Sequence, residues 1–180
     1  KGKTGGFARK TDRERDRTEM KIIIAGDGKV GLALTRLLSE EGHDLVTIDT
    51  NREVLERSAQ LYDVMAVVGN CATMATLREA NVEQADLLIA ATSADEINLL
   101  CCLTARKLNP SLHTIARVRS PEYLEQLYLM REDFGLSMLI NPEREAAKEI
   151  FRLLKIPGFL KRETFAKGRV EIVELRVLEN

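Results

Sequence analysis

The run Gly26-Asp27-Gly28-Lys29-Val30-Gly31 follows directly on the apolar stretch Met20 to Ala25, and an acid, Asp49, closes the next apolar stretch. A glycine turn between a strand and a helix, with a carboxylate at the end of the second strand, leaves few folds open. Gly26 permits the tight turn, Gly28 lets the main chain approach a pyrophosphate, and Gly31 lets helix and strand pack closely. Phosphates would rest on the unpaired N–H groups and positive dipole end of the helix starting near Lys29. Asp49 is expected to accept hydrogen bonds from a ribose. Its charge disfavours a 2′-phosphate there, so NAD(H), ATP or ADP fits better than NADP.

From Met20 onward, short β-rich apolar runs alternate with amphipathic helical stretches. Strands are expected at Lys21–Ala25, Leu45–Asp49, Val64–Val68, Leu87–Ala91, Thr114–Val118 and Met138–Ile140. The first five read as strands buried on both faces of a parallel sheet. Val30, Ala33, Leu34, Leu37 and Leu38 form one apolar stripe, and Ile97, Leu100, Cys101, Thr104, Ala105 and Leu108 form another. Ser120-Pro121-Glu122 and Asn141-Pro142-Glu143 each supply an N-cap, a first-turn proline and an acid. Six strands and a glycine fingerprint at the first turn predict a Rossmann doubly wound parallel sheet, order 3-2-1-4-5-6. A further helix carries Ile150, Phe151 and Leu154 and stops at Pro157-Gly158. A strand-like segment, Thr164 to Leu178, follows, with a hairpin turn at Lys167-Gly168-Arg169 and a parity switch between Ile172 and Leu175 suggesting a bulge. These pieces cannot bury their own apolar faces. They are expected either to pack on a partner subunit or to begin a small α+β subdomain that continues past Asn180.

The chain has 180 residues, 44% of them hydrophobic and 31% charged, with a formal net charge of −1. That balance gives no overall field for nucleic acid or an anionic membrane. No apolar stretch approaches the roughly 20 residues of a membrane span. Residues 1–19 are basic and nearly devoid of apolar side chains, which reads as a disordered tail or an appended leader. Cys71, Cys101 and Cys102 lack metal spacing and read as free thiols of a reducing compartment. No metal site is expected. His43 and His113 each stand at a strand start, away from the nucleotide edge.

Several segments together carry a family resemblance. They are Lys21 to Gly31, Gly69-Asn70-Cys71-Ala72-Thr73, Ala91-Thr92-Ser93 to Asn98, Ala116-Arg117 to Tyr123, Asn141-Pro142-Glu143 and the strand Arg169–Leu178. In order and position they resemble the N-terminal half of the Trk-type potassium-uptake regulators of the RCK/KTN family. The resemblance implies a cytoplasmic regulatory subunit, peripheral to the membrane through its partner. It would bind a nucleotide and gate an integral-membrane potassium transporter or channel as a homo-oligomer, dimer or ring, without catalysis. It also implies a domain plan: a nucleotide-binding domain over 20–141, a crossover and dimerisation helix with linker over 142–160, and the first strands of a regulatory subdomain over 161–180. The helix after the sixth strand would cross to a neighbouring subunit.

Carried over by position, the phosphate loop falls on Gly26, Asp27, Gly28, Lys29, Val30 and Gly31, and the ribose contact on Asp49. Gly69, Asn70 and Cys71 would wrap the adenine, Thr92 and Ser93 would lie beside the second ribose or the phosphates, and Arg117 would meet a phosphate. An untitratable charge with a planar donor fork suits that last role independently. An acid at position 27 would repel a nearby pyrophosphate, so Asp27 is expected to face solvent with Lys29 offsetting it. Cys71 reads as a small buried residue, with a redox sensor as the sharper alternative. Arg119 is a weaker phosphate candidate, and Glu96 and Asn98 read as helix caps or cation contacts.

Two other functions stay open. A nicotinamide-dependent oxidoreductase needs an acid–base residue, yet Tyr62, Tyr123 and Tyr128 have no lysine four residues on. A dimerisation module with a merely structural nucleotide shares the binding predictions but lacks the coupling.

Overall fold

A computed structural model describes residues 19–155, 159–165 and 170–175. The chain divides into two compact units, the first ending at Ile140 and the second beginning at Asn141. Residues 1–18, with most of the expected tail, the Pro157-Gly158 stop and the turn at Lys167-Gly168-Arg169 lie outside the described residues.

The first unit is a six-stranded sheet in the order β3-β2-β1-β4-β5-β6, all neighbours parallel. Its strands are β1 (Lys21–Ala25), β2 (Asp44–Asp49), β3 (Met65–Val68), β4 (Leu87–Ala90), β5 (His113–Arg117) and β6 (Met138–Ile140). Between them run α1 (Lys29–Glu40), α2 (Arg52–Leu61), α3 (Met74–Glu79) with a short 3-10 turn, α4 (Asp95–Leu108) and α5 (Pro121–Leu129). The expected Rossmann order is the one observed. Its topological switch point falls between β1 and β4, and the crevice beyond the carboxyl ends of those strands is where such sheets bind ligands.

Ile22, Ile23 and Ile24 of β1 are buried, as are Leu45 and Ile48 of β2 and Leu88 of β4. Each such side chain contributes roughly 1.5–3 kcal/mol relative to exposure. The expectation of double burial fails at β3, where Met65, Ala66 and Val68 are exposed and Val67 alone is buried. As an edge strand, β3 has one neighbour and less cover.

Helix registers also differ from expectation. In α1 the buried residues are Gly31 and Thr35, while Ala33 and Leu37 face outward. The cause is the close seat of Gly31, where an added Cβ would stand 1.9 Å from the Gly26 carbonyl oxygen. That contact rotates the helix, leaving Leu34 and Leu38 half-buried against the β1 cluster. In α4, Leu100 is exposed while Leu99 and Cys102 are buried.

Caps divide similarly. Asn51, Thr73 and Asn141 each accept a main-chain N–H of the following turn through their side chains. Ser120 occupies the cap position of α5 without a side-chain bond. Its own N–H is held by Asp95 Oδ2 at 2.8 Å.

In the second unit, α6 (Pro142–Lys155) presents Ile150, Phe151 and Leu154 exposed. β7 (Phe159–Phe165) pairs antiparallel with β8 (Val170–Leu175). β7 therefore starts five residues before the expected Thr164. The pairing shifts register between Phe159 and Lys161, opposite Leu175 and Glu174, so the irregularity sits across from the parity switch seen in the sequence.

Candidate functional site

The first glycine turn is built by contacts that only glycine tolerates. Gly26 has φ +95°, and a Cβ there would meet the main chain of Ala91 and Thr92 at 2.7–2.9 Å. The β4–α4 loop thus lies directly on the β1–α1 turn. Gly26 N–H donates to the Ile48 carbonyl at 2.7 Å, continuing the sheet pattern to the end of β2. Gly28 is different. It is exposed at the cap of α1, and a Cβ added there would meet nothing within 4 Å. Protein packing does not require this glycine, and its open side lies where α1 presents unpaired N–H groups.

Asp49 is held firmly at the end of β2. Oδ2 accepts from the Asp27 N–H at 2.8 Å and Oδ1 from the Asn51 N–H at 2.9 Å. A carboxylate has about four acceptor positions, so capacity for sugar hydroxyls remains. The Asp49 carbonyl accepts from Gly69 N–H at 2.9 Å, which joins the β3 loop to the same edge.

Asp27 does not face solvent as expected. Its side chain is 1% exposed and turns inward, where Oδ2 accepts from the Ser58 hydroxyl on α2. Burial raises this carboxyl above its ordinary range; the Ser58 bond opposes that and the Asp49 charge adds to it. The main chain of Asp27 belongs to the loop, but its carboxyl lies beneath it. Lys29 is exposed, and Val30 is half-buried at the start of α1.

On the β3 side, exposed Asn70 closes its own turn, with Oδ1 accepting from Ala72 N–H at 3.0 Å. Cys71 points into the core and is 4% exposed. The neighbouring Cys101 thiol lowers the Cys71 pKa, and Cys71 together with burial raises that of Cys101.

Across the switch point, buried Asn98 organises the second half of the edge. Its Oδ1 accepts from Thr92 N–H at 2.8 Å and Thr92 Oγ1 at 2.7 Å. Its Nδ2 donates to the carbonyls of Thr92 at 3.3 Å and Arg117 at 2.9 Å. Asn98 is therefore a clamp between the ends of β4 and β5 rather than a cap or cation contact. Asp95 does the same one turn earlier, accepting from Arg119 N–H at 2.9 Å as well as from Ser120. The Arg119 guanidinium lies 3.6 Å from Asp95 and donates to the Ser93 carbonyl, so it ties two loops together. Arg117 is half-buried at the end of β5, and Glu96 is exposed and accepts from Tyr123 at 2.7 Å.

The structure thus gathers Gly26 to Gly31, Asp49, Gly69, Asn70, Thr92, Ser93 and Arg117 along one sheet edge, while the Asp27 and Cys71 side chains turn to the interior. Ser58 and Asp95 were absent from the sequence reading. For Asp95 a signal existed: Asp95, Asn98, Cys102 and Ala105 recur at helical spacing, and polar residues on a buried stripe need partners. Among the described residues no group of three or more His, Cys, Asp or Glu side chains is arranged to hold a metal.

Fold and edge together define a Rossmann-type nucleotide-binding domain. The family model of the TrkA-N domain matches residues 22–142, well over half of the chain, and the chain belongs to that family. It is 41% identical over 160 residues to a Trk system potassium uptake protein TrkA homolog of Archaeoglobus fulgidus, covering 89% of this chain and 36% of that relative. To a protein of the same description from Pyrococcus abyssi it is 34% identical over 164 residues, covering 89% of this chain and 71% of the relative. The chain thus spans about a third of the first relative's length.

Among solved structures, the TrkA-N domain of inner membrane protein ybaL from Escherichia coli superposes with a TM-score of 0.68 at 26% identity, covering 77% of this chain and 98% of that one. The GsuK channel bound to NAD gives a TM-score of 0.58 at 26% identity over 69% of this chain and 22% of that one. GsuK bound to ADP gives 0.63 at 27% identity over 78% and 35%.

Proposed function

We propose that this chain is a regulatory nucleotide-binding unit of a potassium-uptake system. It takes NAD(H) or an adenine nucleotide such as ADP or ATP at the carboxyl edge of its sheet. The observation that carries this reading is the pairing of Asp49, fixed by two main-chain N–H groups, with a cap glycine whose outer side is open. Asp49 would hold the adenosine ribose, and the start of α1 would hold the phosphates. Arg117 would add a permanent positive charge for the phosphates. NADP fits poorly, because its 2′-phosphate would confront Asp49.

The names of the relatives support a regulatory role in potassium uptake, and the NAD and ADP complexes of GsuK support the ligand class. In this reading the unit works within a homo-oligomer against a cytoplasmic face of a membrane potassium transporter or channel. The nucleotide shifts the partner's open population only by its differential affinity for two arrangements of the assembly.

The test is calorimetric titration of NAD⁺, NADH, ADP and ATP into the wild type and into Arg117→Ala. Saturable binding of at least one ligand is expected, with weaker binding by the variant. Equal loss for all ligands assigns Arg117 to shared phosphates, and selective loss of ATP assigns it to the terminal one. Absence of binding to the wild type overturns the proposal.

A further inference from the structure

The adjacent cysteines of α4 face different neighbours. Cys102 Sγ donates to the Ile115 carbonyl of β5 at 3.8 Å, and burial pushes its thiol up to about 12. Cys101 lies three residues before Thr104, so the two share a helix face. Thr104 Oγ1 donates to the Ala72 carbonyl at 3.3 Å, which sets that face against the segment following β3. Cys71 immediately precedes Ala72. Its side chain and that of Cys101 are buried in the same core cluster, and Cys101 is 0% exposed.

We propose that Cys71 and Cys101 form a redox-active dithiol that a peroxide converts to a disulfide, fastening the loop after β3 to α4.

The two sulfurs have unequal roles. The neighbouring Cys101 thiol lowers the Cys71 pKa and so favours its thiolate, while Cys71 and burial raise that of Cys101. A thiolate is the attacking species, and a neighbouring thiol resolves the product. Cys71 attacks one peroxide oxygen, forming an S–O bond as the O–O bond breaks; the departing hydroxide takes up the proton Cys71 had released and becomes water. Cys101 sulfur then attacks the sulfenic sulfur, the S–S bond forms, and the S–O bond breaks. The second hydroxide leaves as water with the Cys101 proton. The two thiols lose two electrons and the peroxide gains them. Burial of both sulfurs favours a small uncharged oxidant over a bulky disulfide such as oxidised glutathione.

The consequence for ligand binding rests on the proposed function. Gly69, two residues before Cys71, donates to the carbonyl of Asp49. Drawing Cys71 toward α4 strains that loop, so the oxidised form should bind nucleotide several-fold more weakly.

The experiment treats the whole chain with hydrogen peroxide under native conditions and maps disulfides by mass spectrometry after alkylation. The expected product is one intramolecular Cys71–Cys101 bridge, lacking two hydrogens and reversed by dithiothreitol. Oxidised glutathione should act far more slowly. Cys102→Ser should retain the bridge, whereas Cys101→Ala should leave a dimedone-reactive sulfenic acid on Cys71. A bridge through Cys102, intermolecular links alone, or irreversible oxidation without a bridge would overturn the dithiol, and these readouts need no variant and no nucleotide. Titrating NADH and ADP into oxidised and reduced protein then tests the coupling. Equal affinity in both forms overturns the coupling, and no affinity in the reduced form counts against the nucleotide site while the bridge map stands by itself.

Discussion

The main-chain N–H of Asp27 donates to Asp49 Oδ2 at 2.8 Å, so the carboxylate proposed to meet a ribose also holds the glycine loop in place. Replacing Asp49 by alanine removes the loop contact and the proposed ribose contact together. A hydrogen bond to a charged group is worth about 1.5–3 kcal/mol, so affinity for NADH or ADP should fall about tenfold to a hundredfold. Asp49→Asn keeps an acceptor for Asp27 and should preserve the thermal midpoint better than alanine. Calorimetry and thermal melts on both variants check this, and unchanged affinity in Asp49→Ala would remove the residue from the site.

The glycines of the turn should separate folding from binding. An alanine at position 28 meets no protein atom within 4 Å and inherits φ −71°, which any residue adopts. Its effect on stability should stay within about 1 kcal/mol, while nucleotide affinity should be lost because the methyl occupies the open side. Alanine at position 31 places its Cβ 1.9 Å from the Gly26 carbonyl oxygen. Such overpacking against backbone should cost about 3 kcal/mol or more. Denaturant melts and titrations on the pair would show whether Gly28→Ala is the folded, non-binding variant expected.

Asn98 makes four hydrogen bonds from a fully buried position, three to Thr92 and one to Arg117. Asn98→Ala leaves these groups without their partner, which should cost about 3 kcal/mol. Asn98→Asp keeps the acceptor for Thr92 but cannot donate to either carbonyl. Both variants should bind nucleotide less tightly, since Arg117 loses its tether to β4. A denaturation midpoint unchanged in Asn98→Ala would show that the clamp contributes nothing.

The strand order was legible because most strands read as short apolar runs, and the candidate site residues fall at or just after the ends of those runs. Tertiary contacts were not. The inward turn of Asp27 depends on Ser58, thirty-one residues away on α2, and nothing local in either segment announces the pairing. The stripe of α1 was displaced because Gly31, a residue without a side chain to count as apolar, sets the rotation of the helix. Asn98 reads from sequence as a helix cap or cation contact, because its partners Thr92 and Arg117 come from the ends of two strands whose adjacency only the sheet order reveals.

The buried Asp27 carboxyl should leave a signature in the pH dependence of stability. Burial raises it above the ordinary value of 3.8, the Ser58 bond works against burial, and the charge of Asp49 adds to it. A carboxyl whose folded-state pKa exceeds its unfolded one binds its proton more tightly when folded. Its contribution to stability is complete below the unfolded value and is lost as pH rises through the folded value. Asp27→Asn removes the charge and keeps an oxygen to accept from Ser58. The variant should therefore gain thermal stability relative to wild type as pH climbs above 3.8, and show no such gain below it. Ser58→Ala strips the buried carboxylate of its donor and should destabilise by about 1–3 kcal/mol at neutral pH, with less effect in acid. Melting midpoints of the three proteins across an acid-to-neutral series decide the matter: a difference between Asp27→Asn and wild type that stays constant with pH would mean the carboxyl ionises as readily in the folded chain as in the unfolded one.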